Sequence, residues 1–310
     1  MTVTDIAIIG FGKIARDQHL PSIVRSDAFR LAATVSRNAG AAGVASFPDL
    51  GALLAADTGV TAVALCMPPQ VRYGYARAAL EAGLDVLLEK PPGASLSEVE
   101  ALKDLAASQG RVLFATWHSR FAQGVPAAKA WLAGRAVRHV TTTWREDVRH
   151  WHPGQQWIWQ AGGLGVFDPG INALSILTEI LPLPVHVTAA ELEFPENRDT
   201  PIAARLVMAG ARDLRVEADF DWRQTGPQTW TITVETEDGQ ITLTEGGARV
   251  SANGLDLSHG TALQSEYDGI YRRFADLLAQ RKSEVDLAPL RHVADAFMLG
   301  RRIGTAPFND

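Results

Sequence analysis

An unbroken apolar run, Ile6-Ala7-Ile8-Ile9, leads straight into Gly10-Phe11-Gly12 near the start of the chain. A strand with no polar face must be covered on both sides, which confines it to the middle of a parallel sheet with helices on each face. The glycines allow a tight turn, and a helical stretch follows from Lys13. The alternation then repeats. Strands are expected at 29–35, 60–65, 85–88 and 112–115, and a helix at 70–82 with Gly83 as its C-terminal cap. Ser97 and Glu100 form a capping box for a further helix that Gly110 closes. Strand and helix in this order predict an α/β Rossmann fold, a doubly wound parallel sheet.

From about Val137 the strands follow one another directly. Leu214, Val216, Ala218, Phe220 and Trp222 alternate with charged residues, and Trp230, Ile232 and Val234 alternate with polar ones. Asp238-Gly239 is a hairpin signal before the strand Ile241 to Thr244. Such alternation predicts an open, mainly antiparallel sheet with one polar face, in a C-terminal α+β domain. Two helices are expected to close the chain, one with Ile270, Phe274, Leu277 and Leu278 on one face, the other from Pro289 to Arg302. The boundary falls near His118, giving domains 1–117 and 118–310.

A length of 310 residues suits two domains, and 46% hydrophobic with 21% charged residues is ordinary for a globular chain. The net charge of −6, with no Lys/Arg block, argues against nucleic acid and anionic membrane partners. Cys66 is the sole cysteine, so neither an internal disulfide nor a cysteine zinc site is available; it reads as a buried small residue. The first ten residues lack a basic stretch and a long apolar stretch, and no run is long enough to span a membrane. A cytoplasmic location is the expectation. No histidine spacing fits a zinc pattern, so no metal is expected, and His19, His139 and His150 read as structural.

Gly10-x-Gly12-x-x-Ala15, between a strand and a helix, has the small residues that a dinucleotide pyrophosphate needs for close approach to backbone N–H groups. The loop residues Gly10, Phe11, Gly12, Lys13 and Ile14 would hold it, with Met67 and Pro68 after the strand at 60–65. An acid at the end of the second strand would select NAD; Ser36-Arg37 stands there instead. A guanidinium matches a 2′-phosphate, so NADP is preferred over NAD. The bland alternatives are a glycine turn that binds something else and a surface arginine indifferent to the ligand.

Together with the glycine start, Glu89-Lys90-Pro91 resembles the glucose–fructose oxidoreductase/inositol dehydrogenase (Gfo/Idh/MocA) family. The stretches Gly12 to His19, Trp151 to Trp159 and Gly165 to Asn172 resemble the branch that oxidises L-arabinose or D-galactose at C1 to the lactone. That resemblance implies a nicotinamide-dependent aldose 1-dehydrogenase acting on a free pyranose, with L-arabinose placed slightly ahead. It also implies a homodimer or homotetramer through the open C-terminal sheet. It places Glu89 and Lys90 at the cofactor and Lys90 at the substrate as well. Many family members carry Asp-x-x-x-His on the catalytic helix, whereas here the second position is Asn172, which cannot act as a base.

Asp168 and Asn172 are four residues apart and share a helix face. Asp168 precedes Pro169 and could be only an N-cap. The resemblance makes it the base, with Lys90 as charge stabiliser or proton relay and Asn172 orienting sugar hydroxyls. Glu146, which shares a strand face with Trp144, could bind a sugar hydroxyl. Trp151 and His152 offer an aromatic face and a polar tip to a pyranose, with core packing as the alternative for the tryptophans. His118, at the domain junction, could touch either ligand. A cyclitol, dihydrodiol or keto-sugar oxidoreductase and a non-catalytic dinucleotide sensor remain as rival functions.

Overall fold

The structure, a computed structural model, describes residues 3–38, 40–258 and 266–309. The chain forms two compact units: Met1–His118 with Ser265–Asp286, and Ser119–Gln264 with Leu287–Asp310.

In the first unit, strands β1 (Thr4–Ile9), β2 (Phe29–Val35), β3 (Ala45–Phe47), β4 (Ala62–Leu65), β5 (Asp85–Leu88) and β6 (Leu113–Ala115) form one sheet in the order β3-β2-β1-β4-β5-β6. All neighbours are parallel, as the unbroken apolar runs require, and Ile6 to Ile9 are fully buried. The connecting helices are α1 (Leu20–Arg25), α2 (Leu50–Ala55), α3 (Pro69–Glu81) and α4 (Leu96–Ser108). The strand order reverses between β1 and β4, and ligands of such sheets bind beyond the carboxyl ends at that reversal. Gly10 sits there with φ +88°, and a Cβ on it would lie 2.7 Å from the Met67 nitrogen. The helix entered from this turn is wound wide, as a π-turn, over Ala15–His19.

The second unit holds helices α5 (Val125–Leu132), α6 (Val148–Trp151) and α7 (Phe167–Ile180). Its strands are β7 (Val137–Arg145), β8 (Val185–Pro195), β9 (Ala203–Gly210), β10 (Arg215–Asp221), β11 (Thr229–Thr236), β12 (Gly239–Thr244), β13 (Arg249–Ala252) and β14 (Leu255–Asp256). The Asp238-Gly239 turn joins β11 to β12 as the sequence predicts. Helix α7 lies close on this sheet: a Cβ on Gly170 would come within 2.9 Å of the Phe220 ring, so a larger residue would push the helix outward.

Three expectations need correction. First, helix α8 (Glu266–Gln280) belongs to the first unit, not to a 118–310 domain. Its apolar face is used there: Phe274 stacks on Phe29 and Phe114, and after it Glu284 pairs with the edge strand β6. His118 also falls in the first unit. Second, helix α9 (Ala288–Leu299) stops before Gly300, and Arg301–Thr305 form β15 instead of a last helical turn. Strand β15 pairs in parallel with β8, giving nine strands in the order β14-β13-β12-β11-β7-β10-β9-β8-β15. Only β7/β10 and β8/β15 are parallel, so the sheet is mainly antiparallel as expected. Third, α4 is capped two residues earlier than expected. The Ser95 hydroxyl accepts from the Glu98 N–H and Glu98 accepts from the Ala94 N–H, while Val99 and Leu102 face the core. Both Ser-x-x-Glu frames exist in the sequence, and burial of those two residues fits the earlier one.

Candidate active site

The first unit's site residues gather at the carboxyl ends of β1, β4 and β5. A Cβ on Gly12 would meet nothing within 4 Å, so the glycine loop keeps one open side where a pyrophosphate fits. Phe11 and Met67 are buried beneath it, Pro68 and Ile14 are partly exposed, and Lys13 is exposed and paired with Asp17. Ser36 lies just beyond β2, its hydroxyl accepting from the Asn38 N–H. Arg37 beside it is exposed and makes no ion pair among the described residues, leaving its guanidinium available to an anion.

Glu89 has a different place from the expected one at the cofactor. Its carboxylate is buried and accepts from His19 Nε2 at 3.1 Å, from the Tyr267 hydroxyl at 2.6 Å and from the Lys90 N–H at 2.6 Å. Burial would push this carboxyl up, but the hydrogen bond and charge of His19, the charge of His118 and the Tyr267 hydroxyl hold it far below the ordinary range. Burial works against a charge on His19; attraction from Cys66, Tyr271 and Glu89 nevertheless raises its pKa well above 6.5. Tyr271, 2.8 Å from His19 Nδ1, is pushed up by burial to about 12. The pair is therefore a buried imidazolium and carboxylate, and His19 is structural as expected. Cys66 is half-buried, not fully buried as its apolar strand suggested. His118 is committed as well: its Nδ1 lies 2.5 Å from Glu266 and its ring stacks on Tyr267.

In the second unit the expected N-cap role of Asp168 does not appear. The N-cap position is Val166, and Asp168 lies inside the first turn. The first-turn N–H groups bond to main-chain carbonyls: Phe167 to Leu164, Asp168 to Gly165, Gly170 to Val166. Pro169 has no N–H, so the turn does not need the carboxylate as a cap. Asp168 is only 3% exposed, and one turn further along the helix Asn172 is half-buried.

His152 joins two carboxylates. Its Nε2 is 3.7 Å from Asp168 Oδ2 and 3.6 Å from Glu146 Oε1. Its Nδ1 is buried without a hydrogen-bond partner among the described residues. Glu146 is buried, and each of its oxygens accepts an indole N–H, from Trp222 at 3.2 Å and from Trp230 at 2.9 Å. Glu146 thus orders aromatic rings where a direct sugar contact was expected. Trp230 is flanked by Trp144 and Trp151, whose ring centroids lie 5.6 and 5.0 Å away, and Trp151 is 37% exposed. Trp144 is core, as the bland reading had it, whereas Trp151 offers a face to solvent.

Sequence reasoning missed Arg72, Tyr267 and Tyr271. The signal for Arg72 was available: it stands in the buried row Pro69, Arg72, Ala76, Ala79 and Leu80 of α3, where a charge is out of place. The two tyrosines sit four residues apart on the apolar face of α8, which spacing alone reads as packing. Among the described residues no group of His, Cys, Asp and Glu could hold a metal ion, and no helix is long and apolar enough to cross a membrane.

Comparison with known proteins agrees with this frame. A model of the oxidoreductase family with an NAD-binding Rossmann fold matches residues 4–116. The chain is 42% identical over 307 residues to galactose 1-dehydrogenase of Pseudomonas fluorescens, covering 98% of each protein. The crystal structure of D-galactose-1-dehydrogenase from Rhizobium etli superposes with a TM-score of 0.95 at 57% identity, over 100% of this chain and 99% of that one. A 3-ketoreductase from Actinomadura kijaniata shares the fold at 18% identity, with a TM-score of 0.85 over 98% of this chain and all of the other. The chain belongs to this oxidoreductase family, the Gfo/Idh/MocA proteins, as its glycine loop and Glu-Lys-Pro segment indicate.

Proposed function

We propose that the protein is an aldose 1-dehydrogenase that oxidises the anomeric carbon of a galactose-configured pyranose to the lactone, with NADP preferred over NAD. The observation that carries the reading is near-complete similarity, at 42% and 57% identity, to two proteins named for galactose 1-dehydrogenation. D-galactose therefore takes first place over L-arabinose, which the sequence motifs had put slightly ahead. The two sugars share ring stereochemistry and differ in the exocyclic CH₂OH.

In this mechanism Asp168 takes the proton of the C1 hydroxyl, a role suited to a nearly buried carboxylate that the helix does not use as a cap. His152, within 4 Å of that carboxylate, balances its charge and offers Nδ1 to a sugar hydroxyl. Asn172, with an amide that both donates and accepts, orients a neighbouring hydroxyl. The Lys90 ammonium stabilises the oxygen from which the proton departs. Trp151 presents its ring to the C–H face of the sugar. Arg37 takes the 2′-phosphate of NADP, and the glycine loop takes the pyrophosphate. When bound, the nicotinamide accepts the hydride. Association into a dimer or tetramer through the nine-stranded sheet belongs to the same proposal.

Initial rates of NADPH formation with D-galactose, L-arabinose, D-glucose and D-xylose test the reading. D-galactose and L-arabinose should be used with comparable efficiency. D-glucose, the C4 epimer of galactose, should be poor, because an inverted hydroxyl leaves buried polar groups unpaired, which costs more than a changed methylene. Equal activity on D-glucose, or none on any free aldose, would overturn the assignment and favour a cyclitol or a non-catalytic role.

A further inference from the structure

We propose that Arg72 is a positioning residue that holds the main chain on both sides of Lys90. The proposal rests on the reading of Lys90 as a participant in the reaction. Arg72 is 2% exposed on the sheet-facing row of α3. Its guanidinium donates to three main-chain carbonyls: Nη1 to Glu89 and Pro91, and Nη2 to Met67 at 2.5 Å. Two of these acceptors flank Lys90 in the chain; the third lies just beyond the end of β4.

The remaining main-chain donor is held from the opposite charge. The Lys90 N–H donates to Glu89 Oε2, and Glu89 is itself fixed by His19 and Tyr267. Pro91 supplies no N–H. Across Glu89-Lys90-Pro91, a buried cation therefore grips the carbonyls before and after Lys90, and a buried anion grips its amide. Only the Lys90 side chain is left to move, from a half-buried residue. A planar fork with five donors can reach three carbonyls at once; an ammonium on a flexible stem is a point charge and cannot hold the same three in place. A shift of about 1 Å in a reacting group can cost about a hundredfold in rate.

A double-mutant cycle with Arg72→Lys and Lys90→Met separates positioning from general stability. Arg72→Lys alone is expected to lower kcat about 10- to 100-fold. The Kd for NADP, from a fluorescence titration, and the KM for the sugar should each change by less than about threefold. In the Lys90→Met background the same substitution should change kcat by less than about twofold, because the group it positions is gone. Thermal midpoints should fall equally in both backgrounds. Equal losses of kcat in the two backgrounds would overturn the proposal and leave Arg72 as a stabilising residue. Native-like turnover in Lys90→Met alone would overturn the reading of Lys90, and the proposal with it. Arg72→Gln, which can still donate to one carbonyl, repeats the cycle should Arg72→Lys fail to fold. If both variants unfold, Arg72 is a folding residue and the positioning role is lost.

Discussion

Around Lys90 the first unit commits nearly every polar group to another part of itself: Glu89 to His19, Tyr267 and a main-chain amide, Arg72 to three carbonyls, His118 to Glu266. Around Asp168 the second unit does the reverse. His152 stands 3.6 and 3.7 Å from two carboxylates, its Nδ1 has no partner among the described residues, and Trp151 is 37% exposed. Committed groups hold a geometry; uncommitted ones can recognise a ligand. The contrast fits a cofactor end that must be rigid and a sugar end that supplies hydrogen bonds only when the sugar arrives.

The sharpest way to break the comparison is at Asp168. Asp168→Asn keeps size and removes the base, and kcat should fall about 100-fold or more. The melting temperature should stay nearly unchanged, since the carboxylate caps nothing. Retained turnover with lowered stability would put Asp168 among the committed groups instead.

Arg37 tests the uncommitted part of the first unit. Arg37→Ala should raise KM for NADP about 10- to 100-fold relative to NAD, the loss of a charge-assisted phosphate contact of about 1.5–3 kcal/mol. Steady-state kinetics with both cofactors decide it; an unchanged ratio would remove Arg37 from the site.

Glu146 is the committed group of the second unit. Glu146→Gln leaves one indole N–H facing an amide NH₂, a buried mismatch of about 1–3 kcal/mol. Calorimetry should show a midpoint lower by about 2–10 °C, and sugar KM should rise while KM for NADP stays. A variant with native stability would mean that the two indole bonds carry little.

The smallest effect concerns His19. Its pKa is held above 6.5, so its stabilisation is complete below that value and is lost as pH rises through the folded pKa. Glu89 is held below 4.5, so its share is complete above that value and is lost as pH falls. Stability should be flattest between the two. His19→Gln should flatten the alkaline limb of a melting-temperature series from about pH 6 to 9 while lowering the plateau. An alkaline limb unchanged from the parent would rule out a charged His19 in the fold.

Much of this frame can be read from the residues alone. Period and turn chemistry give the parallel sheet, the later antiparallel strands and the Asp238-Gly239 hairpin, because those signals are local. The misassigned pieces are the ones decided by distant partners. Nothing within α8 says that Phe274 will meet Phe29 and Phe114, and nothing near Arg301 says that β8 offers an open edge. Site residues divide the same way. Glu89, Lys90, Asp168 and Asn172 are found through short motifs, whereas the commitment of Glu89 to His19 and of Glu146 to two indoles depends on positions 70 to 84 residues away.

The wide turn over Ala15–His19 has a meaning for descent that differs from its meaning for chemistry. A π-turn accommodates one residue more than the α-turn it interrupts, so it reads as the scar of a one-residue insertion. Each residue added to or removed from a helix rotates the remainder of that helix by about 100°. Deleting Gln18 should therefore let the segment rewind as ordinary helix and swing the position now held by His19 away from Glu89. Along a lineage, a single-codon gap at this point would mark chains whose Glu-Lys-Pro glutamate has had to find another cation.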